Sequence, residues 1–230
     1  MKKLILLFSA LCLISCSDDD GADANKPRTL FVESAFVSNA SGSGGGAIEF
    51  SYNDEKQLNT VLVSGTLCKM TYKDGKMIAM ETSAGGVAGD AYEFGYDDDG
   101  ILESLKAGNA DPYDVTYDSD EKKYTIAAMD RAFALNDDND ITAITVGTQE
   151  VFFTYDEKGK GPMYDVKGDF YMAAFILTTP FIMSKRPALE FQGFTSENIL
   201  NADGYLSKSL LSVQDAEKPS TTIYYSYTTL

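Results

Sequence analysis

Polar and apolar residues alternate along most of the chain with a period of two, and many of the alternating runs end in a short acidic turn. Ile48, Phe50 and Tyr52 share one side of such a run, opposite Glu49 and Ser51. This pattern is typical of a β-strand with one buried face. It recurs in Tyr92/Phe94/Tyr96, Tyr113/Val115/Tyr117, Val151/Phe153/Tyr155 and Ile223/Tyr225/Tyr227. The chain is therefore expected to be all-β.

The turns follow a repeated unit in which Tyr or Leu precedes an Asn/Asp/Gly-rich stretch, as in Tyr96-Asp97-Asp98-Asp99-Gly100. These residues tolerate the positive φ of tight turns. Turns are predicted at 53–56, 73–75, 97–100, 136–140, 156–159 and 201–204. One hairpin per repeat gives an antiparallel up-and-down meander of about fourteen strands. Such a sheet should be strongly curled or closed into a barrel, because closure removes exposed edges.

The segment from Gly168 to Met183 is apolar and lacks the alternation. Asp169 near its start and Pro180 near its end predict one short helix near 169–178. Its length is too short to span a membrane. We expect this helix to close one end or side of the sheet; the alternative is an exposed apolar lid over a ligand cavity.

The first fifteen residues read as a signal peptide, because Lys2 and Lys3 precede a short apolar run. Leu13-Ile14-Ser15-Cys16 resembles the bacterial lipobox. The resemblance implies cleavage between Ser15 and Cys16, and lipid attachment at Cys16. Several acyl chains would hold the protein stably in a membrane, whereas a single chain is marginal.

Residues 16–27 form a polar stretch that is expected to be a flexible acidic tether, and residues 28–230 a single β domain. Ser17, Asp18, Asp19 and Asp20 resemble the export tag of Bacteroidota surface lipoproteins. The resemblance implies an outer-membrane lipoprotein that faces the cell exterior.

The composition excludes several classes of function. The 230 residues contain no His and no Trp, and the formal net charge is −16. The missing His removes serine–histidine, cysteine–histidine and histidine–metal sites, and the negative charge disfavours nucleic acid. Once Cys12 leaves with the signal and Cys16 carries lipid, Cys68 has no disulfide partner. It is expected to be a small core residue.

No catalytic residue, metal site or cofactor is predicted, and the protein is expected not to be an enzyme. The acidic turns contain oxygen ligands suitable for calcium, but they lack the spacing of an EF-hand loop, and calcium binding there stays open. Tyr224 and Phe152 interrupt the alternation on the polar face, so they are the candidates for an exposed contact with a glycan or protein ligand.

The lipobox, the acidic tether and the Tyr-Asp hairpins together resemble a Bacteroidota surface lipoprotein domain family of unknown function with a porin-like barrel fold, over Thr29 to Leu230. The family supplies no catalytic residues. Three hypotheses follow, in order of preference. The first is a non-catalytic binding or structural module of the envelope. The second is a carrier of a small apolar ligand in a barrel cavity, and the third a carboxylate-based glycoside hydrolase.

Overall fold

The computed structural model describes residues 28–39, 45–213, 216 and 218–230. These residues form an antiparallel sheet of 17 strands. The first nine are β1 Phe31–Asn39, β2 Gly45–Tyr52, β3 Leu58–Val63, β4 Thr66–Lys73, β5 Lys76–Ala84, β6 Val87–Tyr96, β7 Leu102–Ala107, β8 Tyr113–Asp114 and β9 Thr116–Asp118. The other eight are β10 Lys123–Ile126, β11 Arg131–Leu135, β12 Ile141–Val146, β13 Gln149–Tyr155, β14 Ala188–Phe191, β15 Phe194–Leu200, β16 Leu206–Val213 and β17 Thr221–Thr228.

The sheet closes on itself into a nearly complete barrel. Strands that follow each other in the chain pair antiparallel, with the exception of β8 and β9, and β1 pairs with both β2 and β17. Ala35, for example, lies opposite Ile48 on one side and Tyr225 on the other. The expected antiparallel meander is therefore confirmed, and the expected curling of the sheet takes the form of a nearly closed barrel.

The strand count of about fourteen was too low. The run from Tyr113 to Tyr117 was expected to be one strand, but it breaks at Val115 into β8, which pairs with β7, and β9, which pairs with β10. The Val115 N–H donates to the carbonyl of Glu103 at 2.8 Å, and the chain changes partners there. Short strands such as β14, with four residues, also escape a pattern that needs several alternations.

Five of the six predicted turns connect consecutive strands as expected. The exception is 156–159, where β13 ends at Tyr155 and the next strand begins only at Ala188. The intervening residues 156–187, here called the plug, contain the predicted helix, α1 (Tyr171–Ile176). The first and last parts of the plug lie side by side. The N–H groups of Gly161 and Met163 donate to the backbone carbonyl oxygens of Lys185 and Ser184 at 2.7 and 2.9 Å.

The plug lies inside the barrel. Five consecutive residues of α1, from Tyr171 to Phe175, are buried, so every side of the helix is covered. Phe175 packs against Phe133 of β11 with ring centroids 4.7 Å apart and the rings tilted by 39°. Phe181 stacks on Phe191 of β14 with centroids 4.5 Å apart. The helix is thus neither an exposed lid nor a cap on the outside of the sheet. A continuous apolar run without alternation is what burial on all sides requires.

The outer wall of the barrel is polar. Glu49 and Lys69 are exposed near the middle of their strands, while the residues on either side of each are buried in the core. Glu81 and Glu93 are exposed next to the buried Met80 and Phe94. A wall in contact with lipid tails would carry an apolar band at this height. These charged positions face water, and the buried apolar side chains form the packed interior.

Candidate functional site

The residues assigned to the lipid anchor, Ser15, Cys16, Ser17 and Asp18 to Asp20, lie outside the described residues. The described chain begins at Arg28, whose guanidinium pairs with Asp203 at 2.8 Å in the turn between β15 and β16. The chain therefore enters the barrel at the end that carries the turns 53–57, 74–75, 97–101, 119–122, 136–140 and 201–205, here called the acidic end. The opposite end carries the uncharged turns 64–65, 85–86, 147–148 and 192–193, together with the connections 108–112 and 127–130, which contain Asp111 and Asp130.

The acidic turns use their first Asn or Asp to hold the backbone. In four of them one side-chain oxygen accepts the N–H groups of the second and fourth residues that follow, at 2.8 to 3.1 Å. The four residues are Asn53, Asp97, Asn136 and Asn201. Among the described residues no group of three or more Asp, Glu, Cys or His side chains is arranged to hold a metal ion.

Asp140 is the acid of this end whose environment is most unusual. It is buried, and its two carboxylate oxygens accept the N–H groups of Lys185 and Arg186 at 2.6 and 3.0 Å. Burial raises the pKa of Asp140 to about 6, although these two hydrogen bonds oppose the rise. A raised carboxyl pKa in a cleft would favour the hydrolase hypothesis. Here the carboxylate is covered by the returning strand of the plug, and its role is to fix that strand.

A pocket of about 190 Å³ lies at the acidic end between the barrel wall and the plug. Lys76 donates to Asp169 at 2.7 Å across it, and Tyr171 forms part of its lining. Beside Asp169, the buried hydroxyl of Tyr72 has no hydrogen-bond partner. The pocket is smaller than the roughly 300 to 1,000 Å³ typical of ligand sites, and two of its charged groups, Lys76 and Asp169, already bind each other.

Cys68 is fully buried, as predicted, and is a free cysteine among the described residues. Burial raises the pKa of its thiol, which keeps it protonated and unreactive at neutral pH. The carrier hypothesis also loses its basis, because the plug and the inward-facing side chains fill the space in which an apolar ligand would lie.

The two aromatic residues predicted to face outwards do so. Phe152 is 61% exposed on β13 and Tyr224 is 47% exposed on β17. Tyr224 lies opposite Phe36 of β1, which is 46% exposed, and the ammonium of Lys208 lies 5.3 Å from the Tyr224 ring centre. The exposure of Phe36 was not predicted from the sequence. Its neighbours Ala35 and Val37 are also apolar, so the alternation that marks an exposed position is absent there.

Phe152 lies in a concave part of the outer wall. It belongs to a groove of about 450 Å³ on the outer wall over β13, β14 and β15. Glu150 and Thr154 flank Phe152 on β13, and Glu190 and Thr195 face each other on the next two strands. The cross-strand neighbour of Phe152 on β12 is Ala143, whose small side chain leaves the aromatic ring uncovered. We call this surface the Phe152 groove.

The Phe152 groove combines an aromatic surface with hydrogen-bonding groups. Gln192 and Gly193, in the turn between β14 and β15, close its far side. Its lining contains two carboxylates but no Lys or Arg. The sequence predicted an exposed Phe152 but not the other residues of the groove. Glu190 and Gln192 are far from Phe152 in the chain and come close to it only because the plug brings β14 alongside β13.

No family model matches the chain, and no curated protein sequence matches it either. Among solved structures, a porin-like protein from Bacteroides uniformis ATCC 8492 is similar over 86% of this chain and 98% of that one, at 12% identity and a TM-score of 0.42. The TcdB2-TccC3-Cdc42 complex matches over 78% of this chain at 11% identity and a TM-score of 0.30. The Photorhabdus luminescens Tc holotoxin pore matches over 76% at 13% identity and a TM-score of 0.29.

This chain spans only 10% and 11% of those two toxin chains. Identities and TM-scores this low give no indication of function. Within the part of the chain that the structure describes, no helix is both long enough and apolar enough to cross a bilayer.

Proposed function

We propose that this protein is a lipid-anchored, non-catalytic binding or structural module of the bacterial outer membrane, displayed on the cell exterior. The observation that carries the proposal is the filled interior. Because the plug occupies the barrel, with Phe170 to Phe175 buried, a ligand must contact the outer wall or the loops. The anchor is supported by the lipobox at Leu13 to Cys16, and display by Asp18 to Asp20.

The anchor is tested by labelling cells with a clickable fatty acid. Wild-type protein should carry the label and sediment with membranes. Cys16→Ala should lose the label and leave the membrane fraction, since Cys16 is the residue to which lipid is attached. Cys12→Ala is the matched control, because it removes a thiol from the same leader without touching the attachment site. Unlabelled wild-type protein, or a labelled Cys16→Ala, would contradict the proposal.

Display is tested separately by protease treatment of intact cells. Replacing Asp18, Asp19 and Asp20 together by Ala should preserve the lipid but protect the protein from the protease until the cells are lysed. If the triple variant is digested on intact cells as readily as wild type, the acidic residues act only as a linker.

A further inference from the structure

We infer that the Phe152 groove binds a neutral polysaccharide. This inference goes beyond the proposed function, because it gives the binding module a site and a ligand class. The groove holds about 450 Å³, within the range of small-molecule sites and large enough for part of an extended chain.

The exposed ring of Phe152 is the first part of the evidence. A Phe that is 61% exposed on a sheet wall leaves apolar area in water that a partner could cover. The C–H face of a sugar ring is apolar and flat enough to lie on an aromatic face. Removing this apolar area from water favours binding.

The polar rim is the second part. The hydroxyls of Thr154 and Thr195 and the amide of Gln192 can both donate and accept hydrogen bonds, while Glu150 and Glu190 accept them. A sugar carries several hydroxyls that both donate and accept, so it can satisfy such a mixed set. A simple apolar ligand would leave these groups without partners.

The charge of the groove selects among sugars. Glu150 and Glu190 line it without a neighbouring Lys or Arg, so a polyanion such as a uronic-acid polymer would be repelled. Both carboxylates are exposed, and water weakens the attraction between exposed charges, which argues against a site built for a cation. A neutral polysaccharide fits both facts.

The position of the groove agrees with this use. Glu150 lies near the start of β13, and Gln192 and Gly193 form a turn of the opposite end. The chain enters at the acidic end, where Arg28 pairs with Asp203. The groove therefore runs along β13 and extends to the end away from Arg28, where a long polymer can approach.

The test is affinity electrophoresis of the full-length protein in a mild non-ionic detergent. Native gels contain starch, xylan, galactomannan, polygalacturonate or no polymer. At least one neutral polysaccharide should retard the wild-type protein, and polygalacturonate should not. Phe152→Ala should weaken that retardation about tenfold or more, which corresponds to the loss of about 1.4 kcal/mol. Phe152→Tyr, which keeps an aromatic ring, should retain it.

Tyr224→Ala is the matched control, because it removes an exposed aromatic side chain from a wall position away from the groove. If Tyr224→Ala weakens retardation as much as Phe152→Ala, the groove is not the site. Retardation by polygalacturonate, or retention on an immobilised polyamine instead of a neutral sugar, overturns the ligand class. If the wild type is lipid-labelled and displayed but no neutral polysaccharide retards it, the inference fails while the proposed function stands.

Discussion

Single tyrosines tie neighbouring strands together at the ends of the hairpins. The hydroxyls of Tyr52, Tyr96, Tyr155 and Tyr227 each donate to a backbone carbonyl of the preceding strand, at 2.6 to 2.8 Å. A Tyr at the end of a strand can bury its ring and keep its hydroxyl in water. The structure instead gives the hydroxyl a fixed acceptor, which explains why Tyr and not Phe recurs at these places.

Replacing Tyr52 by Phe should therefore destabilise the protein by about 1 kcal/mol, because the Val32 carbonyl loses the donor that lies 2.8 Å away. Tyr72→Phe is the matched control: its hydroxyl is buried without a partner, so removing it should cost nothing or stabilise the fold. Urea unfolding of both variants measures the difference. Equal losses from the two substitutions would show that the Tyr52 hydrogen bond contributes no stability.

The ionisation of Asp140 predicts a pH dependence. Its folded-state pKa of about 6 lies above the usual 3.8, so the folded protein holds this proton more tightly than the unfolded chain. The stability that results is present below about pH 4 and is lost as the pH rises through about 6, a change on the order of 1–3 kcal/mol. Asp140→Asn should flatten this part of the profile.

Urea midpoints between pH 4 and 7 measure the slope, and Asp54→Asn, in an exposed part of another acidic turn, should keep it. An unchanged slope in Asp140→Asn would assign the pH dependence to other groups. The absolute stability of Asp140→Asn should also fall, since an amide can accept only one of the two N–H hydrogen bonds from Lys185 and Arg186.

At the level of single elements, the turns were the most predictable feature. The first Asn or Asp, the glycine and the preceding Tyr act within a few residues of each other, so the sequence pattern reports them directly. The turn that begins at Asn201 contains all of these features. The Asn201 side chain accepts the N–H groups of Asp203 and Tyr205, and Gly204 adopts a φ of 83°. Lys56 and Asn139 take the same left-handed place in two turns that lack the glycine, which is why the motif looks degenerate.

Gly204→Ala should destabilise the protein by about 1–2 kcal/mol, because a residue with a Cβ pays that amount in the left-handed region. A Cβ built at Gly204 meets no atom within 4 Å, so the cost is purely conformational. Gly46→Ala is the control: it also has open space, but its φ is not positive, and it should be neutral or slightly stabilising. Thermal unfolding compares the two, and equal melting temperatures would contradict the assignment.

At the scale of the whole molecule, the features that the sequence left open are the non-local ones. Barrel closure pairs β1 with β17, at opposite ends of the described chain, and no local pattern specifies that contact. The plug was recognised as an apolar exception, but its place inside the barrel depends on partners such as Phe133 and Phe191, which come from different strands. Within the Phe152 groove, the sequence predicted the exposed Phe152 but not its neighbours from β14 and β15, because these also come from distant parts of the chain.

The filled interior makes a final prediction that compares two residues of the same type. Phe175 lies on α1, is 2% exposed and packs against Phe133, so Phe175→Ala should cost about 3–5 kcal/mol through lost burial and a cavity at the centre of the barrel. Phe152→Ala removes the same atoms from an exposed position and should change stability by no more than about 0.5 kcal/mol. Chemical unfolding of the two variants separates the core from the binding surface. If Phe175→Ala were as stable as Phe152→Ala, the plug would not be part of the packed core, and an internal ligand site would again have to be considered.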